Sequence, residues 1–171
     1  MARHEEHRED LMAEAVALVR RIEIRVPGES EAVTAGWRST GWFSVYFGQD
    51  VAYTFDEAGR LRRAFADGFL YRTQGTTLAR LERRRTEKES TLVRHDLTPD
   101  ELAAFLVAMR GRLGRLTHVV AAREVDVLRT AGGEASGLLT ELAASLEQIG
   151  GQTEVLAPPI AAGRSAASRP R

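Results

Sequence analysis

Residues 41–72 read GWFSVYFGQDVAYTFDEAGRLRRAFADGFLYR, and this stretch decides the fold. Ten of the chain's eleven aromatic residues (two Trp, three Tyr and six Phe) lie between Trp37 and Tyr71. Three turn signals cut the stretch into four strand-length pieces. Gly48-Gln49-Asp50 is a short turn. Asp56-Glu57-Ala58-Gly59 is a tight hairpin loop in which Gly59 can take the positive φ such loops require. Asp67-Gly68 is the strongest two-residue hairpin signal in the chain.

The pieces between these turns alternate with the period of a strand. In 42–47, Trp42, Ser44 and Tyr46 share one face, and Phe43, Val45 and Phe47 the other. Large aromatics on both faces mean that both faces want cover. That describes either a central strand packed on one side by a helix, or a strand whose second face lines a binding groove. Val51, Tyr53 and Phe55 form the inward face of the next piece, and 61–66 and 69–73 follow. YTFDEAGRL, running from Tyr53 to Leu61, resembles one unit of the YD-repeat (RHS-type) β-hairpin. The resemblance covers these residues alone; it implies a strand–turn–strand hairpin and carries no function.

Outward from this centre the pattern continues. RIEIRV at 21–26 alternates strictly, PGES at 27–30 is a turn, and Val33, Ala35 and Trp37 mark a further strand. On the other side 77–85 and 90–95 read as strands joined by the polar link RRRTEKES. Eight strands with turns every eight to twelve residues make an antiparallel meander, which at this length curls strongly or closes.

Helical periods flank the meander. Leu11, Ala15, Leu18 and Val19 form one apolar stripe within 4–20, with Glu5, Glu6, Glu9 and Asp10 in its first half, where the helix dipole favours negative charge. Thr98-Pro99-Asp100-Glu101 has the composition of a helix start, with Thr98 as N-cap, Pro99 at the first helical position and Glu101 completing a capping box. Leu102, Leu106, Met109, Leu113, Leu116 and Val120 then recur at alternating steps of four and three, an a/d seam over about three heptads. That seam needs a partner surface, either the open face of the meander or a second copy of the helix. The pattern breaks at Gly132-Gly133, after which Leu138, Leu139, Leu142, Leu146 and Ile149 define a shorter amphipathic helix. From Gly150 on, Pro, Gly, Ala and Ser accumulate without periodicity. The expected architecture is α+β: an N-terminal helix (1–20), a curved antiparallel meander of seven to eight strands (21–97), C-terminal helices (98–149) and a disordered tail (150–171).

Composition narrows the function classes. Of 171 residues, 43% are hydrophobic, enough for a core, and 28% are charged, with a net charge of zero. There is no run of 18 apolar residues, so no membrane span is expected, and MARHEEHRED lacks the apolar segment of a secretory signal. A cytoplasmic protein without a membrane role is the expectation. The absence of cysteine removes disulfides, thiolate metal sites and thiol catalysis. Basic residues concentrate between Arg60 and Arg94, ten against the four acids Asp67, Glu82, Glu87 and Glu89. The abundance of Arg is also what codon bias in a GC-rich genome produces.

Catalytic constellations are sparse. GEASG at 133–137 misplaces Ser136 for a nucleophile elbow. His95 and His118 are isolated, and His4 and His7 lie one turn apart without a third ligand. No cofactor or metal is expected. Asp50, Asp56 and Asp67 all sit in turns, where Asp bonds its own backbone. The leading reading is a non-enzymatic binding or protein-interaction module. Its surface would be the strand face bearing Trp42, Tyr46, Tyr53 and Tyr71. A protein partner is expected, or a homodimer formed through the 98–122 helix. A second reading is a single-stranded nucleic-acid binder using Arg62, Arg63, Arg72, Arg80 and Arg83 to Arg85. A third is a small-ligand pocket or hydrolase at the Asp50 and Asp67 turn edge.

Overall fold

The computed structural model describes residues 19–123, 125–130, 134–152 and 156. The aromatic centre folds as its turns dictate. β3 (Phe43–Phe47), β4 (Val51–Phe55), β5 (Leu61–Ala66) and β6 (Phe69–Gln74) are joined by those three turns. Gly48, Gly59 and Gly68 all take positive φ, and Asp67 precedes Gly68 at φ 53, so both central residues of that hairpin are left-handed. β1 (Arg20–Arg25) and β2 (Val33–Trp37) precede them, and β7 (Thr77–Arg85) and β8 (Ser90–Asp96) follow.

These eight strands pair in chain order, all antiparallel. A ninth, β9 (Asp126–Thr130), returns to pair with β1, so the sheet order is β8-β7-β6-β5-β4-β3-β2-β1-β9. The sheet is open, with β8 and β9 at its two edges. The meander has the eight strands expected, and β9 adds a ninth to the sheet beside β1. The 98–149 region is not purely helical: α1 (Pro99–Ala121) stops well short of Gly132, and β9 intervenes before α2 (Ala135–Gln152). DVLRT lacks strict apolar–polar alternation, and a five-residue strand without it is easily lost beside a 23-residue helix.

Two further boundaries move. Arg20 begins β1 and the Val19 amide donates to the Trp37 carbonyl, so the chain is already extended where a helix was expected to reach. The rest of the expected N-terminal helix, 1–18, lies outside the described residues. At the other end Gly150 to Gln152 belong to α2, and the expected disordered tail otherwise lies outside the described residues, apart from Leu156, which packs against the core.

The sheet has two distinct faces. On the inner one, the cross-strand row Ile22, Ala35, Val45, Tyr53, Ala64, Tyr71, Arg80 and His95 runs from β1 to β8. α1 lies across this face. Its Leu102, Leu106, Met109, Leu113 and Leu116 are all buried, so the seam meets the chain's own sheet. Each contributes about 1.5–3 kcal/mol of gross burial. Val119 is buried where the heptad pointed to Val120, which packs half-buried against the core and lines a cavity between the end of α1 and α2. α2 packs beside α1 through Leu138, Leu142, Leu146 and Ile149, and Arg20 of β1 donates to Glu141 at 2.8 Å. The outer face holds a second, smaller cluster of Ala52 and Phe65 with Tyr46 against them, and a buried hydroxyl pair, Ser44 and Thr54, 3.0 Å apart. Strand β3 is aromatic on both sides because both sides of the sheet centre are buried.

Candidate functional site: a cleft between the sheet and α1

Where α1 crosses β4 to β7, the two layers do not close completely. A cavity of about 230 Å³ remains, open on one side, lined by Tyr53, Asp67, Tyr71, Arg80, Phe105 and Arg112 among others. Small residues on the helix, Ala104 and Ala108, leave the room.

Its wall is aromatic. Tyr53 and Tyr71 stand on neighbouring inner-face positions through Ala64. Phe105 descends from the first turns of α1 onto both, tilted against Tyr71 at 4.9 Å between centroids and edge-on to Tyr53 at 6.2 Å. Burial pushes both tyrosines above their ordinary pKa. The nearby Arg112 opposes this at Tyr53 and Arg80 opposes it at Tyr71, and neither reverses it. Both are therefore neutral phenols at physiological pH.

Its rim is charged. The Arg112 guanidinium donates to the Tyr53 hydroxyl at 2.9 Å. A phenol that accepts this bond keeps its own proton to donate. Arg80 is held otherwise: it donates to Glu82 at 2.9 Å and to Glu101 at 3.4 Å, and lies over the Phe69 ring at 4.6 Å. Glu101 is the joint between helix and sheet. It accepts the Thr98 backbone N–H at 3.1 Å and contacts His95 Nε2 at 2.9 Å, while its own amide donates to Thr98 Oγ1 at 3.3 Å. The His95 bond, followed by the Thr98 amide, lowers its carboxyl to about 2. Asp67 is exposed at the mouth, placed there by its left-handed turn.

The structure divides the residues singled out in the sequence. Tyr53 and Tyr71 meet in the cleft; Tyr46 is on the outer face, and Trp42 precedes β3 with Arg38 stacked at 5.9 Å. The four thus do not share one face. Strand alternation accounts for Tyr46, since Ser44 and Tyr46 must oppose Val45. The arginines are divided as well. Arg62 is the extra residue of a bulge opposite Thr54 and Phe55, and it donates to Asp56 at 2.9 Å. Arg63 and Arg72 are cross-strand partners on the outer face. Arg80 is on the inner face, and alternation along β7 puts Arg84 with it and Arg83 and Arg85 opposite. Of the turn aspartates, Asp67 lines the cleft. Asp56 is buried and organises its own hairpin, accepting from the Ala58 and Arg60 amides and from the Arg60 and Arg62 side chains. Asp50 is not among the lining residues.

Phe105 and Arg112 were not legible as site residues. Each sits off the heptad seam by one position, and only the placement of α1 on the sheet aims them at the tyrosines. Among the described residues no three His, Asp or Glu side chains converge as a metal site, and no helix is long and apolar enough to cross a membrane. No family model, curated protein or solved structure matches the chain.

Proposed function

We propose that this protein is a non-enzymatic binding module whose ligand is a small molecule held in the cleft between β4 to β7 and α1. The observation that carries this reading is the cleft itself: an open cavity of about 230 Å³ with an aromatic wall and a rim of oriented polar groups. Binding sites combine those two features, apolar area for affinity and a few fixed polar groups for orientation. The volume is below the common range for drug-sized ligands and favours a compact one.

The protonation states fit binding better than catalysis. A general acid or base works best with a pKa near the working pH. Tyr53 and Tyr71 lie above their ordinary value and Glu101 lies at about 2, each moved away from neutrality. Nor does a basic groove accompany the tyrosines. Arg62 and Arg80 are engaged by carboxylates, and Arg63 and Arg72 lie on the opposite face.

A thermal-shift screen of small polar metabolite-like compounds at about 10 mM tests this. A ligand with Kd of about 100 µM would stabilise by about 2.7 kcal/mol, a rise of roughly 5–10 °C for a domain of this size. Ala108→Trp fills the cleft from the exposed side of the helix and should abolish the shift while leaving the unliganded melting temperature nearly unchanged. A screen in which no compound raises the melting temperature, or in which Ala108→Trp leaves every shift intact, overturns the reading.

A further inference from the structure

We infer that the cleft recognises a zwitterion of free amino-acid size, with Arg112 taking the carboxylate and Asp67 the ammonium. The inference rests on the cleft being a ligand site and names the class of ligand it takes.

Charges lining a cavity usually neutralise one another, as Arg80 does with Glu82 and Glu101. Arg112 and Asp67 do not. Among the described residues, the Arg112 guanidinium has the Tyr53 hydroxyl as its bonding partner and no carboxylate within ion-pair distance, although it is half-buried. A guanidinium offers five donors, and one bond to a phenol leaves the fork that matches a carboxylate open. Asp67 likewise has no cation within ion-pair distance among the described residues, yet it sits close enough to Tyr53 and Tyr71 to disfavour ionisation of both. The two opposite charges flank the same phenol, Tyr53, in the same cleft, and do not meet each other.

A ligand carrying both signs satisfies both groups at once. An anion alone would leave Asp67 unmatched beside it, and a cation alone would sit against Arg112. The Tyr53 hydroxyl, its lone pair taken by Arg112, has a proton to donate to the same carboxylate. The wall of Tyr71 and Phe105 offers apolar surface to a side chain. The cavity, at about 230 Å³, has room for a ligand of amino-acid size. The Asp-Gly hairpin explains why a short polar residue stands at Asp67, but Asn serves such a turn equally well. The turn does not require the charge.

That equivalence supplies the test. L-leucine and L-phenylalanine are titrated calorimetrically into the full chain, each beside its deaminated acid and its decarboxylated amine. The zwitterions should bind at least tenfold more tightly than either counterpart. Asp67→Asn keeps the turn and should reduce zwitterion affinity to that of the deaminated acid, whose own affinity stays unchanged. Arg112→Gln should abolish binding of zwitterion and acid alike; circular dichroism melts establish that both variants are folded. If the acids bind as tightly as the zwitterions, or Asp67→Asn changes nothing, the zwitterion assignment is wrong and an anion site remains. If none of the six compounds binds but another compound gives a shift that Ala108→Trp removes, the ligand class is wrong while the cleft stands. The cleft fails independently if no compound of the wider screen binds at all.

Discussion

His95 Nε2 lies 2.9 Å from Glu101 Oε1, which ties the end of the edge strand β8 to the first turn of α1. The same carboxylate accepts the Thr98 amide and lies 3.4 Å from Arg80. One side chain thus caps the helix and docks it on the sheet at the cleft's rim. With its carboxyl lowered from 4.5 to about 2 by the His95 bond first and the Thr98 amide next, Glu101 binds fewer protons folded than unfolded. It therefore contributes stability above pH 4.5 that is lost as pH falls toward about 2. Glu101→Gln preserves a capping box and removes the charge. The expected result is a lower melting temperature than the parent at neutral pH, with the gap closing between pH 4.5 and about 2. A gap that does not change with pH would place the effect in packing instead.

What could be read in the sequence was local, and what could not was the docking of one element on another. Gly59 and Asp67-Gly68 name their turns because positive φ is a property of a few residues. Thr98 and Glu101 name the helix start for the same kind of reason. Tyr53 and Tyr71 were recognisable as a pair of aromatics on strands, but alternation alone does not say that Tyr46 is on the other side of the same sheet from them; the register of three hairpins does. Arg112 carries no local signature at all. β9 was hidden because its partner, β1, is about a hundred residues away.

Gly59 should be far less replaceable than Gly28. Both have positive φ, at 76° and 87°. A Cβ at Gly28 would meet nothing within 4 Å, whereas one at Gly59 would stand 3.0 Å from Gln148 Cγ and 3.2 Å from the backbone of Gln148 and Ile149. Gly28→Ala should cost about 1–2 kcal/mol for the left-handed backbone alone. Gly59→Ala should add about 1–3 kcal/mol of overpacking, because α2 must move. Chemical denaturation of the two variants measures the difference; equal losses would mean that α2 does not press on this hairpin.

Asp56 should be structural. Burial pushes its carboxyl up, but the Arg60 and Ala58 amides and the Arg62 guanidinium outweigh it and hold the group below its ordinary value. Asp56→Ala strips those donors of their acceptor and should destabilise by about 1–3 kcal/mol, read as a lower urea midpoint with unchanged slope. Asp56→Asn keeps an oxygen for the turn amides and should lose less. Ligand affinity in the cleft should be unaltered in Asp56→Asn, and a changed affinity would tie this hairpin to the site.

Met109 decides whether the helix seam is spent within one chain. Its side chain is fully buried against the sheet, while Val107, two residues away, is 70% exposed. Met109→Ala should cost about 2–5 kcal/mol, and Val107→Ala should stay within about 0.5 kcal/mol. A seam buried against the chain's own sheet gives a melting temperature independent of protein concentration. One that pairs two chains makes it rise with concentration, because association then contributes to stability. Melts of the parent and of Met109→Ala over a hundredfold range of concentration separate these cases. A concentration-dependent parent that loses this dependence in Met109→Ala would return the seam to the interface between two copies.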